Sequence, residues 1–171
     1  MNPWVQDYAW PRHVIQYIER SGLGPDGYDG IMIDCLWEGP PGQMDVNRDG
    51  VHDLQDVQDW QTACMWLLRT LRQRHPDMLM TGNGGGPWSE ACPYVQFANG
   101  CMHENALGDQ FGGVDWQPMW DGILRNLARV QPRPAIHLLA LDVRASGCSQ
   151  LQARDLERLT AEDMRRLRLG L

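Results

Sequence analysis

The chain has 171 residues, 43% of them hydrophobic, which suits one globular domain with a sizeable core. A formal charge of −7 argues against a nucleic-acid surface, and the sequence has neither a secretory signal nor an apolar run long enough to span a membrane. Fifteen Arg and no Lys exclude a Schiff-base lysine and a Walker lysine.

In chain order, Asn2-Pro3 reads as a helix start, with Pro at the first helical position. The helix carries Val14, Ile15, Tyr17 and Ile18 and ends at Ser21-Gly22, before a turn at Gly24-Pro25-Asp26-Gly27. Residues 30–36 form a short apolar run bounded by turn signals, hence a buried strand. Glu38-Gly-Pro-Pro-Gly-Gln-Met44 cannot be helical. A long helix follows from Leu54 to His75, with Val57, Trp60, Cys64, Leu67, Leu68 and Leu71 at helical spacing, and His75-Pro76 stops it. Further strands are expected at Met78–Gly82, Asn99–His103 and Pro134–Leu141. A helix is expected from Gln117 to Val130, with Met119, Ile123, Leu124 and Leu127 on one face. Residues 144–159 read as loop and helix, and a last helix begins at Thr160. Strands separated by helices of this size predict an α/β fold with a parallel sheet.

Between the first strand and the long helix lies Asp45-Val-Asn-Arg-Asp-Gly-Val-His-Asp-Leu-Gln-Asp56. Asp45, Asn47, Asp49, Asp53 and Asp56 occupy positions 1, 3, 5, 9 and 12 of a twelve-residue loop, with Gly50 at position 6 for the sharp turn. The Val51 carbonyl supplies position 7. This is the oxygen spacing of an EF-hand-like calcium loop, with Asp instead of Glu at the last position. No helix precedes it and it occurs once, so the expected role is a structural Ca²⁺ pinning a strand-to-helix connection. The competing reading is an Asp-rich turn that caps the helix. Weak calcium loops suit extracellular calcium levels, which points to an extracytoplasmic setting.

Each predicted strand delivers a polar residue at its carboxyl end: Asp34, Asn83, Glu104 and Asp142. In parallel α/β architectures that edge carries the chemistry. Asp34 stands out because apolar residues flank it on both sides. Eight Trp against two Phe is an unusual aromatic balance. Trp37, Trp88 and Trp116 fall in loops at the same edge, where a broad apolar face suits a sugar ring, while Trp60 and Trp66 read as core. His103 adjoins Glu104 and is a site candidate, whereas His137 reads as a satisfied core residue. The five Cys (35, 64, 92, 101 and 148) form no CxxC pair, so buried thiols are expected.

The succession Asn2-Pro3, Tyr28-Asp-Gly-Ile-Met-Ile-Asp34, the Asp/Asn/Gly loop, Thr81-Gly-Asn83, Asn99-Gly-Cys-Met-His-Glu-Asn105 and Met164-Arg-Arg-Leu-Arg-Leu-Gly-Leu171 resembles the glycoside hydrolases with a TIM-barrel fold, including hypothetical glycosyl hydrolase families and the relatives of endo-polygalactosaminidase. The resemblance spans nearly the whole chain. It implies a partial (β/α)₈ barrel holding strands four to seven, in which Asp34 and Glu104 are the catalytic pair on a carbohydrate substrate. Glu104 is then the expected proton donor and Asp34 the nucleophile or base, with the reverse assignment as the alternative. Trp37, Asn83, Trp88, His103, Asn105 and Asp142 are the expected substrate contacts. A partial barrel exposes strand edges, so poor solubility or pairing with the missing part or a second copy is expected. Other classes fit the same residues: a non-catalytic carbohydrate-binding or calcium-stabilised module, a degenerate product, or a metal hydrolase using Asp34, His103 and Glu104.

Overall fold

The computed structural model describes residues 7–23, 27–84, 86–104 and 116–140, with the side chains of all but 104, 116, 139 and 140. Four strands form one parallel sheet in the order β1 (Gly30–Ile33), β2 (Leu79–Asn83), β3 (Gly100–Glu104) and β4 (Ile136–Ala140). Helix α1 (Ala9–Arg20) precedes β1, α2 (Leu54–Arg74) joins β1 to β2, and α3 (Trp116–Arg129) joins β3 to β4. Between β2 and β3 there is only a single 3₁₀ turn, Pro93–Gln96. The chain is therefore an α/β protein with an all-parallel sheet.

Strand alternation sorts the sheet into two faces. Ile31, Met80 and Cys101 turn toward the helices and join Ile15 of α1 and Leu67, Leu68 and Leu71 of α2 in one core. Burying a side chain of this size contributes about 1.5–3 kcal/mol before the entropy of ordering it. Met32, Thr81, Asn83, Met102 and Leu138 lie on the other face, where no described helix packs. A residue on β2 must be very small to admit the loops above it. A Cβ at Gly82 would fall 2.5 Å from Leu36 Cδ2 and 2.7 Å from Trp88 Cζ2.

Several boundaries differ from expectation. Strand β1 stops at Ile33, because Cys35 adopts φ +55° and swings Leu36 back into the core. Tyr8 has φ +50° and α1 begins at Ala9; the expected helix start at Asn2-Pro3 lies outside the described residues. On α3, Met119 and Ile123 are buried but Leu124 is 59% exposed; the buried stripe continues through Asn126 instead. The expected elements over 144–159 and from Thr160 lie outside the described residues. Of the thiols, Cys64, Cys92 and Cys101 are buried as expected, while Cys35 is exposed. Burial pushes the Cys64 and Cys92 thiols up to about 12 and Cys101 up to about 11, which leaves them protonated and inert.

At the amino end of the sheet Asn99 joins three strands. Its Oδ1 accepts from the Met80 N–H (2.9 Å) and from Arg72 Nη2 (2.7 Å), and its Nδ2 donates to the Pro134 carbonyl (2.9 Å). Arg72, on α2, also donates to the carbonyls of Phe97, Pro76 and Met78. Asn99 is 1% exposed, so each lost bond strands a desolvated partner. Asn99→Ala should cost about 2–3 kcal/mol in urea unfolding; a cost below about 0.5 kcal/mol would mean that the cluster is not a structural hub.

Candidate functional site

The carboxyl rim of the sheet begins where β1 ends. Asp34 Oδ1 accepts the backbone N–H of Cys35 (2.8 Å) and Nδ2 of Asn83 (2.9 Å). The left-handed turn at Cys35 aims that N–H back at the preceding side chain, and the register Met32↔Thr81 carries Asp34 level with Asn83. Asn83 is 6% exposed and Asp34 is exposed, so a buried amide holds a solvent-facing carboxylate in one orientation. Asp34 Oδ2 makes no hydrogen bond among the described residues. Two residues that the sequence singled out separately are thus brought into contact.

Glu104 is the last residue of β3 and pairs with Ala140. Its register position shares the face of Met102 and Asn83. Two strand spacings of about 4.8 Å and two residue rises of about 3.3 Å put the Cα atoms of Asp34 and Glu104 on the order of 12 Å apart. Asn105 and Asp142 lie outside the described residues.

The loop after β1 is fixed to its neighbours through its own carbonyls. Trp88 Nε1 donates to Leu36 O (3.2 Å), and both Trp60 Nε1 and the Tyr94 hydroxyl donate to Trp37 O (3.0 Å each). Gln61 Nε2 donates to Glu38 O (2.7 Å), and the Glu38 carboxylate accepts from the Ser89 N–H and hydroxyl. Trp37 keeps 37% of its surface exposed at this rim. Trp88 does not serve as a sugar platform. It is 5% exposed, packs over Gly82 and meets the Tyr94 ring edge-on at 5.7 Å. Its expected role in substrate contact is corrected to one in the core, because the bare backbone at Gly82 lets the indole close down on the sheet beside Leu36. The side chain of Trp116, at the start of α3, is outside the description.

His103 is likewise not brought to Asp34. Alternation along β3 puts it beside Cys101, on the face toward α3, and its ring lies 6.2 Å from that of His137. Cys101 Sγ accepts from Asn126 Nδ2 (3.2 Å) and lies 3.6 Å from His137 Nδ1. His103 Nδ1, Asn126 Oδ1 and His137 Nε2 are buried without a partner among the described residues, so His137, expected to be a satisfied core residue, is satisfied there only at Nδ1. The facing positions on β3, β4 and α3 had no sequence signal beyond a polar residue at 126 in an apolar helix stripe.

In the Asp-rich loop, Asp45 accepts the N–H groups of Asp49 (3.1 Å) and Gly50 (2.8 Å), and Asn47 Oδ1 also accepts from Asp49 N (2.8 Å). Asp49 Oδ1 accepts from Val51 N (2.9 Å), and Gly50 has φ +93°, as its place in the turn predicted. Positions 53 and 56 are engaged elsewhere. Asp53 caps α2 through the Gln55 N–H, and Asp56 closes a capping box on Asp53 N. Asp56 is fully buried and also accepts the N–H groups of Val46 and Asn47 (2.7 and 3.1 Å). The bond from Asp53 N, with help from Asn47, Val46 and the nearby His52, holds the Asp56 carboxyl below its ordinary range despite burial. Among the described residues no group of three or more His, Cys, Asp or Glu side chains is placed to hold a metal ion. The loop as folded turns the oxygens of Asp45, Asn47 and Asp49 onto its own backbone, while Asp53 and Asp56 secure the helix.

No protein-family model matches the chain, and no curated protein is significantly similar to it. No described helix is long and apolar enough to cross a membrane.

Burial lowers the pKa of His103, and burial together with the neighbouring His103 lowers that of His137 to about 4. Unfolded histidines take up protons near pH 6.5, before the folded ones do. The unfolded state therefore binds more protons across this window, and stability falls as pH drops from about 6.5 toward 4. His137→Leu removes an unpartnered nitrogen and should flatten that fall in thermal melts between pH 7 and 5. An unchanged slope would show that His137 does not contribute to it.

Proposed function

We propose that the chain is a fragment of a glycoside hydrolase, part of its catalytic domain, with its active edge at the carboxyl rim of the sheet. The reading is supported chiefly by one observation, the clamp of Cys35 N–H and Asn83 Nδ2 on a single oxygen of Asp34. Both partners are donors, and they leave Oδ2 as the oxygen with unspent lone pairs. That is the disposition of a nucleophile or base. Glu104, two strands away on the same face by register, is the proton donor. A Cα separation on the order of 12 Å leaves room between the two side chains for a sugar ring. Trp37 at the same rim offers a partly exposed ring for stacking. The sequential all-parallel strand order, with the described helices on one face, supports a segment of a (β/α)₈ barrel in which a 3₁₀ turn replaces the helix between β2 and β3, and we take strands four to seven as its identity. The partner is a carbohydrate polymer, and the outer edges of β1 and β4, which pair with no further strand among the described residues, are where the remaining strands, or a second copy, would join. The metal-hydrolase alternative loses support because His103 turns to the opposite face from Asp34.

The test is turnover of soluble polysaccharides by the full-length protein. Asp34→Asn and Glu104→Gln should each lower kcat by about 10²–10⁴ with the fold intact. Asn83→Ala should lower kcat with little change in KM, because it frees Asp34 to rotate. Full turnover in either carboxylate variant removes that residue from the mechanism.

The Asp45–Asp56 loop carries the calcium proposal. Its ligand spacing favours Ca²⁺, although Asp45, Asn47, Asp49, Asp53 and Asp56 would all have to share their present backbone bonds with the ion. Its role would be to stabilise the strand-to-helix connection, with no part in bond cleavage. If calcium binds only the folded chain, a hundredfold excess over Kd adds about 2.7 kcal/mol. A chelator should then lower Tm, and Asp45→Ala should abolish that response. A Tm unmoved by chelator and by added calcium would leave the loop as a helix cap alone.

A further inference from the structure

A second cleft lies along α2, between Tyr8 and Pro93, and none of its lining residues belongs to the Asp34 site. Its volume is about 420 Å³, within the range of small-molecule sites. Its aromatic side is a stacked pair: the rings of Tyr8 and Trp66 are parallel within 7° with centroids 4.7 Å apart, so each covers one face of the other and only an outer face remains for a ligand. The rest is polar and lies along one stripe of the helix, at Gln58, Gln61, Thr62 and Arg69. None of the cleft residues is acidic, although the chain as a whole carries a net charge of −7.

The hydrogen-bonding capacity of that stripe is largely unspent. Gln61 uses its Nε2 on the Glu38 carbonyl, which leaves Oε1 as an acceptor facing no described donor. Thr62 donates its hydroxyl proton to Gln58 O and keeps its lone pairs. The Gln58 carboxamide and the Arg69 guanidinium make no hydrogen bond among the described residues, and Arg69 rests over the Phe97 ring at 5.5 Å. Donors, acceptors and a flat apolar wall thus stand together without a strong charge requirement. A pyranose ring matches this combination. Its C–H face packs on the aromatic wall, and each hydroxyl both donates and accepts.

We propose that this cleft is a saccharide-binding site, separate from the catalytic rim, which holds a sugar unit of a polymer against Tyr8 and Trp66 and reads its hydroxyls through Gln58, Gln61, Thr62 and Arg69. The choice of ligand class draws on the glycoside-hydrolase reading, but the geometry of the site is independent of Asp34. Such a site raises the local concentration of polymer at the rim by multivalency.

The probes are cellohexaose, maltohexaose, xylohexaose and chitohexaose, followed by saturation-transfer NMR with the full chain. At least one should bind, and it should still bind to Asp34→Asn. Gln58→Ala and Arg69→Ala change exposed residues and should leave the fold intact. Loss of the hydrogen bonds that each supplies should weaken binding about three- to tenfold, and Trp66→Ala should abolish it. Binding to none of the four overturns the proposal. So does binding that survives all three cleft variants, or binding that is lost in Asp34→Asn alone. Failure of the catalytic reading, by contrast, would appear as turnover that is insensitive to Asp34 while binding in the cleft persists.

Discussion

Asn99 fixes the register on which the whole rim depends. One buried amide bonds the start of β2 through Met80 N, reaches toward β4 through Pro134 O, and meets α2 through Arg72. Because side chains alternate with a period of two residues, a slip of β2 or β3 by one position would turn Asn83 or the Glu104 position to the helix side and take it out of line with Asp34. The bonds at the amino end of the sheet therefore decide which chemistry is presented at the carboxyl end. Arg72 suits this role because a planar fork reaches several carbonyls at once, which a lysine cannot do.

At the carboxyl end the constraint passes from the strands to the loops. Gly82 gives up its side chain so that Leu36 and Trp88 can close over the sheet, and the carbonyls of residues 36, 37 and 38 are each taken by a side chain from α2 or from the loop after β2. Asp56 performs the same service further along by drawing three backbone N–H groups onto one buried carboxylate. The consequence is a stiff segment between β1 and α2, which is the condition for holding Asp34 in one rotamer. Preorganised carboxylates act without reorganisation when charge develops on a substrate.

Much of this was legible in the residues. The four strands, the long amphipathic helix and its stop at His75-Pro76 followed from periodicity and from proline, because each element buries one consistent face. The acidic loop was recognisable by spacing, but the spacing could not tell ligand from cap: Asp53 and Asp56 are at once positions 9 and 12 of a calcium loop and the two halves of a capping box. The roles of Trp88 and His103 were misjudged for a common reason. Nearness in sequence to a rim residue does not fix the face. His103 is one residue from Glu104 and so points to the other side of the sheet, and Trp88 is drawn inward by the vacancy at Gly82. The Asp34–Asn83 bond spans 49 positions and leaves no local signal.

In the proposed reaction two carboxylates on separate strands act together at one mouth. A double-mutant cycle on kcat/KM for Asp34→Asn and Glu104→Gln in the full-length protein measures whether they do. Groups that serve one reaction as a unit are non-additive, so the double variant should be barely slower than the slower single variant. If the two losses instead multiply, the residues act independently, and the shared site at the rim is wrong.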